Sequence, residues 1–199
     1  MRVTEIFTDI EGEGTEAGVP TLFVRLTGCN LRCSWCDTKY SYTGGVEMPV
    51  SCVAGVINKS PIKRVSITGG EPLLQKKEVL ELMRLCRGKK FNIETNGAVS
   101  LKGVRPCMIS MDIKPPSSGE HKKMKLSNLG VLGSRDQVKI SAASKRDLEY
   151  ALKLLGRKKL KCSVVIQPVY GKMKFSEIKK FIIGKAPGWR ALRQNHKIK

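Results

Sequence analysis

Three cysteines, Cys29, Cys33 and Cys36, fall within GCNLRCSWCDT in a C-x3-C-x2-C spacing, and no obvious fourth ligand accompanies them. Thiolates on a tight loop suit soft or borderline metals, which means zinc or the iron of a sulfide cluster. A structural zinc wants four protein ligands, usually with a second Cys or His pair. Cys52, His121 and His196 are the available fourths, and none is paired with another ligand in that way. A four-iron, four-sulfur ([4Fe-4S]) cluster held by three cysteines instead leaves one iron open to a substrate or cofactor. The remaining cysteines read as packing residues: Cys86 falls on the apolar face of a helical stretch, and Cys107 and Cys162 fall in strand-like runs.

The element that must present the cysteine loop is TLFVRL (21–26), which alternates as a strand and runs straight into it. VSCVAGVIN (50–58) reads as a short helix, and RVSIT (64–68) as a strand that stops at a Gly-Gly pair. A helix is predicted to open at Pro72, with Val79, Leu82, Met83 and Cys86 on one face. FNIET (91–95) and CMISMDI (107–113) read as strands, with Gly97 in a turn between them. Residues 115–136 show no period and are rich in Pro, Gly and Ser, which predicts a long loop. The last third alternates again: QVKISA as strand, SKRDLEYALKLL as a helix capped by Ser144, KCSVVIQPV as strand, FSEIKKFII as helix, and WRALRQNHKIK as a final strand.

Strands alternating with helices imply an α/β fold with a parallel sheet, and such sheets place ligands beyond the carboxyl ends of their strands. The cysteine loop, the Gly-Gly pair, the end of FNIET, Asp112-Ile113-Lys114 and the QPV segment all fall at predicted strand ends. The chain, residues 1–199, is expected to form one domain that is too short for a complete barrel.

Net charge is +20, from 37 Lys and Arg against 17 Asp and Glu. The basic residues lie in scattered clusters (RGKK, HKKMK, GRKKLK, HKIK) without the interleaved aromatics of a single-strand stacking platform, so direct nucleic-acid binding is not expected. They read as solvated faces whose field an acidic partner or anionic substrate could use. No uncharged run approaches a membrane span, and MRVTEIFTDIEGEG has neither the apolar core nor the cleavage site of a signal peptide. The expected compartment is the cytoplasm, where thiols stay reduced and a disulfide framework does not form.

CNLRCSWC, with an aromatic just before its last cysteine, and TGGEP after the next strand together resemble the radical S-adenosylmethionine (SAM) enzymes. In that superfamily the methionine part of SAM chelates the open iron, and an electron from the cluster cleaves its sulfonium to a 5′-deoxyadenosyl radical. Within it, IEGEG, FVRLTGCNLRC, WCDT, ITGGEPLLQ, ETNG, DIKPPSSG, QPV and QNHK, in that order over nearly the whole chain, are similar to the 7-carboxy-7-deazaguanine synthases. The resemblance implies a reduced, partial (β/α) barrel of the radical SAM type. It also implies conversion of 6-carboxy-5,6,7,8-tetrahydropterin to 7-carboxy-7-deazaguanine with loss of ammonia, with SAM reused.

Carried over residue by residue, the resemblance assigns Cys29, Cys33 and Cys36 to the [4Fe-4S] cluster and Thr38 to a Mg2+ ion that also meets the substrate carboxylate. It assigns Trp35, Asp37, Gly70, Glu71, Asp112, Ile113, Lys114 and Gln167 to SAM. Ile10, Glu11, Gly12, Arg25, Thr68, His196 and the terminal Lys199 are assigned to the pterin substrate. A flavodoxin or ferredoxin reductant and a homodimer are implied as partners. Two positions depart from the family pattern: Glu11 stands where many members have Gln, and DIK stands where many have SPK.

Overall fold

The computed structural model describes residues 1–105 and 107–194. Its strands are β1 (Arg2–Ile10), β2 (Pro20–Leu26), β3 (Val46–Glu47), β4 (Arg64–Gly69), β5 (Lys90–Thr95), β6 (Met108–Asp112), β7 (Gln137–Ala142), β8 (Ser163–Pro168) and β9 (Arg190–Ala191). Its helices are α1 (Val50–Lys59), α2 (Lys76–Leu85), α3 (Lys145–Leu155) and α4 (Phe175–Lys185). The strands form one sheet in the order β3-β1-β2-β4-β5-β6-β7-β8-β9, and every neighbouring pair from β2 to β9 is parallel. This is the α/β, partial-barrel architecture anticipated from the alternation of strands and helices.

Three local features differ from expectation. Residues 2–10 add an unanticipated strand, antiparallel to β2, and β3 pairs on its outer side. The burial of RVTEIFTDI runs in blocks, half-buried over Thr4–Phe7 and exposed over Thr8–Ile10, so it lacks the clean alternation that would have marked it. The helix expected from Pro72 opens instead as a 3-10 turn, Pro72–Gln75, whose Leu73 N–H donates to the Glu71 carboxylate at 3.0 Å; α2 begins only at Lys76. Among the described residues the final strand covers only Arg190–Ala191, while the long 115–136 loop, as expected, contains three short 3-10 turns and no α-helix.

Each central strand is apolar on one face and polar on the other. Val65, Ile67, Ile93, Ile109, Met111, Val138, Ile140, Val164 and Ile166 join Val53, Ile57, Leu82, Leu148 and Ile178 of the helices in the core. The alternate residues pair across the opposite face: Arg25 with Thr68, Glu94 with Ser110, Asp112 with Lys139, and Ser141 with Gln167. Because side chains alternate with period two, helices covering one face leave the other to line the interior of the curled sheet. The segment after β1 closes that interior. Thr15 N–H donates to Gln137 Oε1 at 2.8 Å, and Glu13 takes a hydrogen bond from Gln167 Nε2 at 2.9 Å, so a loop from one side of the sheet is tied to β7 and β8 on the other. Among the described residues no helix is long and apolar enough to cross a membrane.

Candidate active site

The cysteine loop leaves β2 through Gly28, whose φ of +102° lies in the left-handed region that favours glycine. Beneath it sits the turn after β4. A Cβ on Gly70 would lie 2.2 Å from Gly28 O and 2.7 Å from Cys29 Cβ, so only glycine lets these two turns stack. On its outer side the loop is held by the PPSSG segment. Ser34 N–H donates to Ser118 O at 3.0 Å, Ser34 Oγ to Ser117 O at 2.7 Å, and Trp35 Nε1 to Ser117 Oγ at 3.2 Å. Ser117 N–H in turn donates to Asp147 Oδ1 at 3.0 Å, in the capping box of α3.

All three cysteines line a cavity of about 380 Å3 in the sheet interior. Cys33 is buried, and Cys29 and Cys36 are half-buried. Burial pushes the Cys29 thiol up, and pushes Cys33 up to about 11 against the opposing pull of the Lys114 charge. Ligation must therefore displace protons from these thiols. Among the described residues no three Cys, His, Asp or Glu side chains converge on a single ion. Cluster cysteines hold separate irons and need no common point, so three thiols along one cavity wall fit an iron–sulfur cluster. Cys52 is exposed on α1 and His121 packs edge-on against Tyr150; neither lines the cavity.

Of the other residues assigned from sequence, Trp35, Asp37, Gly70, Asp112 and Lys114 line the cavity near the cysteines. Lys114 Nζ pairs with Asp112 Oδ2 at 2.6 Å and lies 5.6 Å from the centre of the Trp35 ring. Burial opposes the ammonium, but Asp112 and Cys33 together outweigh it and hold the Lys114 pKa above the ordinary lysine range. Asp112 Oδ1 is buried without a hydrogen-bond partner, an acceptor suited to the polar end of a ligand such as SAM. Thr38, its hydroxyl 3.6 Å from Cys36 Sγ, lines the same cavity, as do Ile10, Glu11, Gly12, Arg25 and Thr68. Arg25 is paired with Glu5 at 2.6 Å and lies over Phe7 and Tyr40.

Glu71, Ile113 and Gln167 do not line the cavity. The fully buried Glu71 carboxylate accepts from Leu73 N, Asn96 N and Thr95 Oγ1, and burial raises it to about 7 despite those bonds. It joins the TGGEP turn to the ETNG turn, from which Asn96 Nδ2 reaches Asn30 Oδ1 at 2.8 Å and lies 3.8 Å from Cys29 Sγ. Ile113 packs in the core, and the buried Gln167 amide donates to Glu13 and Ser141. His196 and Lys199 lie outside the described residues.

Sequence reasoning missed Glu13, Glu94, Lys139, Ser141 and Gln194, all on the cavity wall. Lys139 Nζ meets Glu13 Oε2 at 2.5 Å and Asp112 Oδ1 at 3.8 Å. Burial opposes its charge, yet Glu13, Asp112 and Glu94 hold its pKa well above the usual value. Gln194 Nε2 donates to Glu13 Oε1 at 2.8 Å, linking the chain's last described residue to the loop after β1. The polar alternates within FNIET and QVKISA were the available clue to Glu94, Lys139 and Ser141.

A family model, the Radical SAM superfamily, matches residues 23–127. A 7-carboxy-7-deazaguanine synthase from Methanospirillum hungatei is 44% identical over all of this chain and 85% of its own length. Another from Thermoplasma acidophilum is 40% identical over all of this chain and 96% of its own. The crystal structure of QueE from Escherichia coli superposes with a TM-score of 0.73 at 25% identity, covering 98% of this chain and 94% of that one. With 40% or more identity to two such synthases along its whole length, the chain belongs to the 7-carboxy-7-deazaguanine synthase family of the radical SAM superfamily.

Proposed function

We propose that the chain is a radical SAM lyase of 7-deazapurine biosynthesis, converting 6-carboxy-5,6,7,8-tetrahydropterin to 7-carboxy-7-deazaguanine with loss of ammonia. The observation that carries this reading is three cysteines opening onto a polar cavity, in a chain that aligns end to end with such synthases. Cys29, Cys33 and Cys36 would hold the [4Fe-4S] cluster, and Trp35, Asp37, Gly70, Asp112 and Lys114 are the cavity residues assigned to SAM. When bound, cluster and SAM supply reversible hydrogen-atom abstraction.

The chain's own residues shape that chemistry. Lys114 and Lys139, each paired with a carboxylate of the chain, put ammonium donors on the cavity wall that a substrate carboxylate could share. Thr38 offers a hard oxygen beside the cysteines for Mg2+. Glu71, Ile113 and Gln167 would act through the residues they hold, not by touching SAM. Residues 1–199 are read as one domain, active in the cytoplasm as a homodimer, with a product that feeds queuosine or archaeosine formation.

The reductant is read as an acidic flavodoxin or ferredoxin. Arg32 is exposed directly outside the buried Cys33, its guanidinium bonded to Cys29 O at 2.8 Å and lying 4.4 Å from the centre of the Tyr42 ring. Glu120 takes the Arg32 N–H and pairs with Lys123, which brings exposed Lys122 and Lys123 to the same rim. This basic collar over the cluster loop suits an acidic one-electron donor.

The test is anaerobic reconstitution with iron and sulfide, then addition of SAM, reductant, Mg2+ and the carboxytetrahydropterin. The expected result is 7-carboxy-7-deazaguanine detected by mass spectrometry, lost in Cys33→Ser and retained in Cys86→Ser. A coloured protein that cleaves SAM but leaves the pterin untouched would assign the chain a different radical SAM reaction.

A further inference from the structure

The cations of the cavity wall, Lys139 buried and Lys114 and Arg25 half-buried, each meet a carboxylate: Lys139 meets Glu13, Lys114 meets Asp112, and Arg25 meets Glu5. Among the described residues, Glu11 and Glu94 have no salt-bridge partner. Glu11 is 4% exposed; its Oε1 accepts the Glu13 N–H at 3.3 Å, and its Oε2 is buried with no hydrogen-bond partner. Glu94 lines the same cavity from β5 and is less deeply buried, and its Oε2 accepts the Thr68 hydroxyl at 3.1 Å. Two carboxyl groups on one shielded cavity do not both ionise readily, and deep burial with one unpartnered oxygen favours the proton on Glu11.

We propose that Glu11 works as a neutral carboxylic acid, its free oxygen donating a hydrogen bond to an acceptor atom on the bound substrate's ring edge. This rests on the pterin reading of the cavity. A carboxylic acid and a carboxamide present the same pair, one donor and one acceptor on neighbouring atoms, so Glu11 does below its pKa what a glutamine would do at every pH. The charged groups acting on it are Glu94 from β5, Lys139 from β7 and Glu13 from its own loop. Burial, then Glu94, push Glu11 up to about 8, with Lys139 pulling the other way and Glu13 adding to the rise. Substrate affinity is therefore present below about pH 8 and weakens above it as Glu11 ionises, by about tenfold per pH unit.

The experiment measures binding of fluorescent 6-carboxypterin to wild type, Glu11→Gln and Glu94→Gln between about pH 6.5 and 9.5. Dividing wild-type affinity by that of Glu11→Gln cancels any titration of the probe itself. The expected ratio is flat below the transition and falls about tenfold per pH unit above it, and Glu94→Gln moves the transition to lower pH by removing the opposing charge. Infrared spectra of wild type at neutral pH should show a protonated-carboxyl C=O stretch that Glu11→Gln lacks. A ratio that stays flat across the range, or equal protonated-carboxyl absorbance in wild type and Glu11→Gln, overturns the proposal. If no form binds the pterin while reconstituted wild type cleaves SAM, the pterin reading itself fails and the proposal falls with it.

Discussion

At the scale of single residues, the site depends on a few positions where no alternative side chain fits. Gly70 is the clearest, because a Cβ there would overlap the backbone oxygen of Gly28, and backbone cannot step aside as a flexible side chain can. Gly70→Ala should cost about 3 kcal/mol in urea unfolding of the apoprotein and lower its iron content after reconstitution. Equal iron loading in the two proteins would show that the turns separate freely. Glu71 shows how position decides role. Its carboxylate belongs to a family motif, yet it spends its bonds on Leu73, Thr95 and Asn96 and thereby positions the turn beneath Cys29. Glu11, just past the end of β1, is set apart by its surroundings instead of its motif.

At the scale of elements, the cysteine loop is held by a relay that starts at a helix cap. Asp147 at the start of α3 accepts from Ala143 N at 2.8 Å, Ser144 N at 3.1 Å and Ser117 N at 3.0 Å, and Ser117 holds both Ser34 and Trp35. The buried Asp147 thus joins a helix terminus to the loop that backs the metal site. Asp147→Ala leaves three donors without their acceptor and should destabilise the protein by about 3 kcal/mol. Thiol labelling of the apoprotein, followed by mass spectrometry, should find Cys33 reacting faster in the variant. Unchanged Cys33 labelling would mean that the PPSSG segment holds its place without α3.

At the scale of the whole molecule, curling of the sheet brings its two ends together through one short loop. Glu13 meets Lys139, Gln167 and Gln194, residues up to 181 positions away, so the cavity floor exists only once segments far apart in sequence have met. The net charge of +20 is spread over the outside, but the part near the cluster loop has a use. Replacing Lys122 and Lys123 by Glu should slow SAM cleavage driven by reduced flavodoxin by about tenfold at low salt, with the gap closing as salt rises. Cleavage driven by dithionite should be unchanged. Equal loss with both reductants would place the effect in the fold and not at a docking face.

The amino-acid sequence by itself determined the local parts: the cysteine spacing, the glycine pair, the helices and parallel strands, and the ordered motifs that carry the family. Those features are legible because periodicity, capping and tight turns depend on near neighbours along the chain. Tertiary structure decided the rest. It alone placed residues 2–10 as a strand, because burial there runs in blocks and not with a period of two. It turned Glu71 and Gln167 away from the cavity and brought Glu94 and Lys139 into it. It also left Glu11 facing a second carboxyl group, since the ionisation of a side chain depends on which charges face it across the fold and how much water reaches it.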